Sequence, residues 1–314
     1  MNTTVKKVFI DGSAGTTGLR IHERLGARSD IALFTLSDDE RKDPARRKEA
    51  LNACDMAFLC LPDAAAEEAV AMIDNPNVTV IDTSTAHRTS PGWAYGFPEL
   101  SPAFAENIVR SNRIAVPGCH AGGFIALVYP LISAGILRTD AELVCHSLTG
   151  YSGGGKKMIA AYETEGRDFL LDAPRQYALS QNHKHLKEMK GITGLEKFPV
   201  FCPIVADFYS GMEVTVPLFA DSLAPGYTVE DIRRVYKTCY NNEIVSYCEE
   251  LGDGGFVSAH ELAGRDSMKI GVLGNDERIL LVAVYDNLGK GASGAAVECM
   301  NMVMGTERTA GLIL

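Results

Sequence analysis

Lys7-Val-Phe-Ile10, Asp11-Gly12-Ser13-Ala14-Gly15-Thr16-Thr17-Gly18 and Leu19-Arg-Ile-His-Glu-Arg-Leu25 follow one another without a break near the start of the chain. The first segment is apolar and reads as a buried strand. The second is a turn with glycines spaced G-x-x-G-x-x-G, and the third has the apolar spacing of an amphipathic helix. Gly12 permits the tight turn, Gly15 lets main chain approach a pyrophosphate, and Gly18 lets the helix pack closely. The helix N-terminus then faces the phosphates. Ser13, Thr16 and Thr17 fill the turn and complete the candidate cofactor contacts. A glycine pattern alone is a weak signal; strand, turn and helix in this order make it a strong one.

Outward from this unit, Ile31-Ala-Leu-Phe-Thr-Leu36 reads as the second strand. An NAD site carries an acid at the end of that strand, to bind the ribose diol. This chain has Ser37 there, with Asp38, Asp39, Glu40, Arg41 and Lys42 behind it. Serine in place of the acid, with Arg41 near, points to a 2′-phosphate and NADP(H); Asp38 points the other way. Further strands are expected at 57–61, closing on Leu61-Pro62, at 78–82 and at 113–116, with a helix at 64–73. This alternation predicts an α/β fold: an N-terminal Rossmann-type doubly wound parallel sheet with its ligand at the carboxyl ends of the strands. Leu61, Pro62 and Ser84 stand at such ends. Beyond residue 118 the texture changes. Segments 141–148, 212–219, 267–272 and 279–285 read as longer strands, some alternating, around a helix at 229–240. They predict a mixed or antiparallel sheet in an α+β second domain. The expected division is 1–118 with 293–314 for the nucleotide domain and 119–292 for the substrate domain. A helix rich in small residues from Ser293 returns to the first.

Composition bounds the function. The 314 residues are 46% hydrophobic, enough for two cores, and the formal net charge of −10 argues against nucleic acid and anionic membranes as partners. No apolar run of about 18 residues suggests a membrane span. The leading Met1-Asn-Thr-Thr runs into the first strand without a signal peptide. Eight cysteines are scattered with no C-x-x-C pair, which fits a reducing cytoplasm rather than a disulfide or zinc framework.

One cysteine stands apart. Val116-Pro117-Gly118-Cys119-His120 precedes the apolar run Phe124–Leu131, and Pro117 and Gly118 predict a helix starting near Cys119. First-turn N–H groups and the helix dipole favour a thiolate there, and the same groups can hold an oxyanion. The plain alternative is a small buried hydrophobe. A thiol nucleophile needs an acid–base partner, and seven histidines are available: 22, 87, 120, 146, 183, 185 and 260. His22 lies on the first helix and is expected at the surface. The side chain of His120, adjacent to the thiol, should diverge from it. His183 and His185 stand in a polar segment leading into a helix. Metal binding by this pair lacks a third ligand at a fitting spacing.

Six segments in order along the whole chain resemble the N-acetyl-γ-glutamyl-phosphate reductase family of arginine biosynthesis, in its shorter subfamily. They are the Gly12–Gly18 turn, Tyr95-Gly-Phe-Pro-Glu-Leu100, Pro117-Gly-Cys119, Tyr151-Ser-Gly-Gly-Gly-Lys156, Asn182-His-Lys-His185 and Asp286-Asn-Leu-Gly-Lys-Gly-Ala-Ser-Gly-Ala-Ala-Val297. Val116 replaces the asparagine of the longer subfamily, and Leu186-Lys187-Glu188-Met189 stands where its histidine motif runs into Pro-Glu-Ile. The resemblance implies that the Cys119 thiolate attacks the acyl phosphate, that NADPH reduces the thioester, and that His183, with His185 as the alternative, is the acid–base. It implies Asn287 near the nicotinamide. Arg88 and Lys156 are candidates for the substrate's phosphate and carboxylate, with Ser84 and His185 beside them. No metal is expected, and a homodimer or homotetramer through the second sheet is. Two rivals are a related acyl-phosphate or semialdehyde dehydrogenase acting on an aspartyl or amino-adipyl analogue, and a non-catalytic dinucleotide sensor. The presence of Cys119 with its proline and glycine argues against the sensor.

Overall fold

The computed structural model describes residues 5–314; the start of the chain on which the signal-peptide expectation falls, residues 1–4, lies outside the described residues. Contacts divide the chain into two compact units. The first comprises 1–98, 102–117 and 292–312, and the second 99–101, 118–291 and 313–314.

The first unit runs β1 (Lys6–Asp11), α1 (Thr16–Leu25), β2 (Ile31–Phe34), α2 (Pro44–Ala53), β3 (Met56–Leu59), α3 (Asp63–Ala71), β4 (Thr79–Asp82), β5 (Ala94–Tyr95), α4 (Pro102–Arg110) and β6 (Arg113–Ala115). Every strand pair is parallel, in the order β2-β1-β3-β4-β6-β5. Strands β3 and β4 are buried throughout, as strands covered on both faces must be. On one face Val8 and Ile10 of β1 pack with Ile21 and Leu25 of α1 and Ile108 of α4. On the other, Phe9 packs with Leu51 of α2 and Ala66 and Ala69 of α3. His22 is exposed on the outer side of α1. Asp43 accepts the Ala45 N–H at 2.8 Å and Pro44 opens α2, a standard helix start.

The second unit begins with α5 (Cys119–Ser133) and continues β7 (Val144–Gly150), α6 (Gly155–Glu163), β8 (Arg175–Gln176), α7 (His185–Thr193), β9 (Val200–Ala206), β10 (Met212–Phe219), α8 (Val229–Cys239), β11 (Val245–Tyr247), β12 (Met268–Gly274) and β13 (Arg278–Tyr285). Its mixed sheet has the order β11-β12-β13-β10-β7-β9-β8. The chain then returns to the first unit as α9 (Gly294–Met304), whose Ala295, Ala296 and Val297 join the core with α1 and α4.

Apolar nearly all round, α5 packs on β10, β13, α7 and α8. Pro130 lies inside α5 and has no N–H to give the Ala126 carbonyl. The Tyr240 hydroxyl donates to that carbonyl instead, at 2.6 Å, and the Tyr236 hydroxyl donates to the next one, Leu127. The strand expected over 141–148 starts instead at Val144, because the Ala141 N–H closes a turn on the Arg138 carbonyl. Strands β8, β9 and β11 carry no counterpart in the sequence reading. Pro203 interrupts the strand signal of β9, which nonetheless pairs parallel with β7 over its whole length; the other two are only two and three residues long. Glu99 groups with the second unit, and its carboxylate accepts from Lys290 Nζ at 2.8 Å, both side chains being buried.

Candidate active site

The first unit carries a mononucleotide-binding turn. Gly12 sits at φ +86°, and a Cβ there would lie 2.3 Å from the Cys60 carbonyl oxygen. A Cβ at Gly18 would lie 2.5 Å from the Gly12 oxygen. The turn therefore closes only on glycine, and the Gly15 N–H fastens it to the Gly12 carbonyl at 2.9 Å. Gly15 caps α1 without a side-chain acceptor, and the first turn, with Thr16 and Thr17, holds no acid. An N-terminus so arranged fits a pyrophosphate. The sheet order reverses between β1 and β3, the switch point where doubly wound sheets bind ligands. Gly12, Ser13, Leu61 and Pro62 all stand at that end. Sequence reasoning missed Arg47, which reaches from α2 to the buried Asp11 carboxylate at 2.8 Å beneath the turn.

Three residues beyond β2, the Ser37 N–H and hydroxyl both donate to Glu40 Oε2, at 3.1 and 2.7 Å. Asp38 is held in a surface pair with Arg41 at 3.1 Å. Beyond β4, the Ser84 N–H and hydroxyl donate to Asp82, and His87 Nδ1 meets the same carboxylate at 2.6 Å, its ring stacked on Trp93. Arg88 is buried and donates to the carbonyls of Val116 (2.8 Å) and Thr83 (3.0 Å), which links the ends of β6 and β4.

The second unit builds a cysteine–histidine cluster. Cys119 is the first residue of α5 and is partly exposed. Glu188 of α7 accepts the N–H of Gly118, the capping residue, at 2.8 Å. The Tyr285 hydroxyl enters the first turn: it accepts the Gly123 N–H at 3.1 Å and donates to the Cys119 carbonyl. Those two groups would bond each other in an uninterrupted helix. Gly123 admits the phenol, since a Cβ there would lie 2.5 Å from its oxygen. Gly291 also backs onto Cys119, with its would-be Cβ 3.1 Å from Cys119 Cβ.

His120 is buried and bonded at both ring nitrogens, to Ser147 Oγ and to the Tyr177 hydroxyl, each at 2.6 Å. Its ring lies 5.9 Å from that of His183 and 5.7 Å from that of His185. Burial, with the neighbouring His183, pulls its pKa down to about 3. It is thus a neutral, locked spacer at working pH. Burial also pushes the Tyr177 phenol up, with Cys119 adding to the rise. His183 is half-buried, and its Nδ1 accepts the His185 N–H at 3.2 Å. That bond leaves the proton on Nε2, so His183 has a fixed donor. Burial pushes Cys54 and Cys60 up to about 12, which suits inert thiols.

Not every expected residue joins the cluster. Lys156 is exposed in the first turn of α6. Asn287 is buried, and its amide is engaged within the second unit: Oδ1 accepts the Gly211 N–H at 2.9 Å, and Nδ2 donates to Ser152 at 3.0 Å. Asp286 beside it accepts the N–H groups of Leu288, Gly289 and Gly264 and the Ser210 hydroxyl. Tyr177, Ser147 and Tyr285 are the site residues that sequence reasoning did not find. Among the described residues no group of three or more His, Cys, Asp or Glu could hold a metal ion, and no helix is long and apolar enough to cross a membrane.

Two family models match the chain: the semialdehyde dehydrogenase NAD binding domain over residues 7–108 and the semialdehyde dehydrogenase dimerisation domain over residues 119–287. Curated relatives are similar over nearly the full length. The N-acetyl-gamma-glutamyl-phosphate reductase of Sinorhizobium medicae is 45% identical over 305 residues, covering 95% of this chain and 98% of its own. The enzyme of the same name from Burkholderia cenocepacia is 43% identical, covering 96% and 98%. The N-acetyl-gamma-glutamyl-phosphate reductase 2 of Pseudomonas putida is 44% identical, covering 97% and 98%. In fold, the chain is similar to aspartate semialdehyde dehydrogenase II of Vibrio cholerae, with a TM-score of 0.72 at 17% identity over 96% of this chain and 98% of that one. It is similar also to the aspartate semialdehyde dehydrogenase of Francisella tularensis, with a TM-score of 0.72 at 13% identity over 95% and 100%.

Proposed function

The chain belongs to the N-acetyl-gamma-glutamyl-phosphate reductase family, and we propose that it reduces N-acetyl-glutamyl 5-phosphate to N-acetyl-glutamate 5-semialdehyde and phosphate through a thioester on Cys119, as a step of arginine biosynthesis. The observation that carries the chemistry is the seat of Cys119: first residue of α5, partly exposed, with the histidine cluster packed around its neighbour His120.

In this reading the Cys119 sulfur attacks the acyl carbon, and first-turn N–H groups of α5 hold the oxyanion. The carbon–oxygen bond to phosphate breaks, phosphate leaves, and the acyl group stays on sulfur. NADPH, when bound, supplies the hydride that reduces the thioester carbonyl. His183 Nε2–H donates a hydrogen bond to the oxyanion that hydride transfer leaves, and this oxyanion collapses to the aldehyde as the carbon–sulfur bond breaks. The aldehyde departs, and Cys119 returns as thiolate. Of the four candidates, His185 and Lys156 are assigned to the substrate's anionic groups, while Arg88 and Ser84, bonded to the Val116 and Thr83 carbonyls and to Asp82, are assigned to bracing the strand ends.

NADP(H) is the proposed dinucleotide. Ser37 supports it, as a hydroxyl where the diol-binding acid of an NAD site would stand. Leu280, Pro217, Phe219 and Val200 leave one side of the second sheet apolar and partly uncovered, which supports a homodimer or homotetramer through it. A cytoplasmic location is proposed with them.

The test is reduction of NADP⁺ in the presence of phosphate with N-acetyl-glutamate semialdehyde, against aspartate semialdehyde. Strong preference for the acetylated substrate is expected. Preference for aspartate semialdehyde would replace this assignment with the rival dehydrogenase, and no turnover with any semialdehyde would favour a sensor.

A further inference from the structure

We infer that Glu40 sets how strongly this enzyme distinguishes its two possible dinucleotides, because its carboxylate occupies the two Ser37 donors that a 2′-phosphate would take. This inference rests on reading the Gly12–Gly18 turn as a dinucleotide site.

The geometry is local and complete. In a fold of this kind a residue just past the second strand, about 20 positions on from the glycine turn, meets the adenosine ribose; β2 ends at Phe34, short of the expected Leu36, and Ser37 follows it. Here Ser37 presents two donors, its N–H and its hydroxyl, and both converge on Glu40 Oε2. In return the Glu40 N–H donates to Ser37 Oγ at 3.4 Å. The Ser-x-x-Glu pair is therefore a capping box at the head of a short helical turn over Glu40–Lys42. The box accounts for the position of the carboxylate; charge gives it a consequence. The two bonds from Ser37, side chain first, hold the Glu40 carboxyl below the usual range, so it is anionic at working pH.

The two cofactors meet this carboxylate differently. A ribose diol can donate to it, as to the acid of an NAD site. A 2′-phosphate is an anion with acceptors only, so it must expel Glu40 before Ser37 can donate to it. Two of the nearby cations already have carboxylate partners: Arg41 pairs with Asp38 at 3.1 Å and Arg46 with Glu49 at 2.9 Å. Ser37 thus admits the phosphate while Glu40 opposes it. A preference for NADP(H) is held below what the serine alone would give, and NAD(H) keeps a foothold.

Glu40→Gln separates charge from structure, since glutamine also completes a capping box. Equilibrium dissociation constants of NADP⁺ and NAD⁺, measured by calorimetric titration of the whole protein, give the readout without any turnover. The NAD⁺-to-NADP⁺ ratio of dissociation constants should rise by roughly three- to tenfold in Glu40→Gln, mainly through tighter NADP⁺, with an unchanged melting temperature. Glu40→Ala should move the ratio the same way. An unchanged ratio in both variants would overturn the role of Glu40. Wild-type protein that binds NAD⁺ more tightly than NADP⁺ would overturn the NADP(H) assignment instead; the change on substitution still decides Glu40.

Discussion

At the scale of single residues, the site separates three histidines by their bonds. His183 has its Nδ1 occupied by a main-chain N–H, which commits Nε2 as donor. His183→Asn should lower kcat by about 10²–10⁴-fold with a smaller effect on KM, the usual range for a lost acid–base group. If steady-state rates show the same drop for His185→Asn and none for His183→Asn, the roles are reversed. His120 does a different job. Unfolded, its imidazole titrates near 6.5; folded, it stays neutral down to about 3. Between those values the unfolded chain binds the extra proton, so stability is intact above about pH 6.5 and falls as the pH drops toward 3. Urea unfolding at pH 7 and pH 4.5 should show a larger acid loss for wild type than for His120→Gln; equal losses would mean that His120 is not held neutral. The helix start at Cys119 was legible from Pro117-Gly118 before it. Tyr177 and Ser147 were not, because the register of β7 and the loop ahead of α7 bring them to His120 from far along the chain, and neither carries a local signal.

At the scale of elements, α5 is held by phenols at two points of its backbone. Tyr240 supplies the donor that Pro130 lacks, and Tyr285 inserts between Cys119 and Gly123. Removing the inserted hydroxyl lets the first turn close on itself and shifts the main chain that carries the nucleophile. Tyr285→Phe should cost about 1 kcal/mol of stability and lower kcat by about 10–10²-fold. Denaturant titration alongside initial rates would check both; an unaltered kcat would show that the insertion does not position Cys119. Helices α1, α3, α5, α8 and α9 could be read from the sequence and β10 was bounded as found, whereas α2, α4 and α6 were not expected. Strand β9 was hidden by Pro203, and β8 and β11 by their brevity, since two or three residues cannot display an alternation. The Asp286–Gly291 segment was legible as a motif but not as a mechanism. Its Asp286 gathers four donors, and Gly291 is small so that Cys119 can lie against it.

At the scale of the whole molecule, each unit uses one side of its architecture for chemistry. The first is covered on both faces by helices. In the second, α5 covers one face of the sheet, while Pro217 pairs with Leu280 on the other, beside Phe219 at 68% exposed and Val200 at 54%. Leu280→Asp should turn the assembled form into monomer in light scattering at micromolar concentration. A wild-type monomer under the same conditions would remove the proposed interface. The parallel and mixed character of the two sheets was legible from strand texture. The grouping of Glu99–Ser101 with the second unit was not, since Lys290, which pairs with Glu99, lies far along the chain.

The thioester on Cys119 can be caught directly. The wild-type protein, incubated with N-acetyl-glutamate semialdehyde and NADP⁺ without phosphate, oxidises the bound aldehyde to the acyl-enzyme and has no acceptor to release it. Intact-mass analysis and peptide mapping should find one N-acetyl-glutamyl group on Cys119, discharged when phosphate is added and missing from Cys119→Ser. An acyl group on another cysteine, or full turnover by Cys119→Ser, would contradict the assignment of Cys119 as the nucleophile.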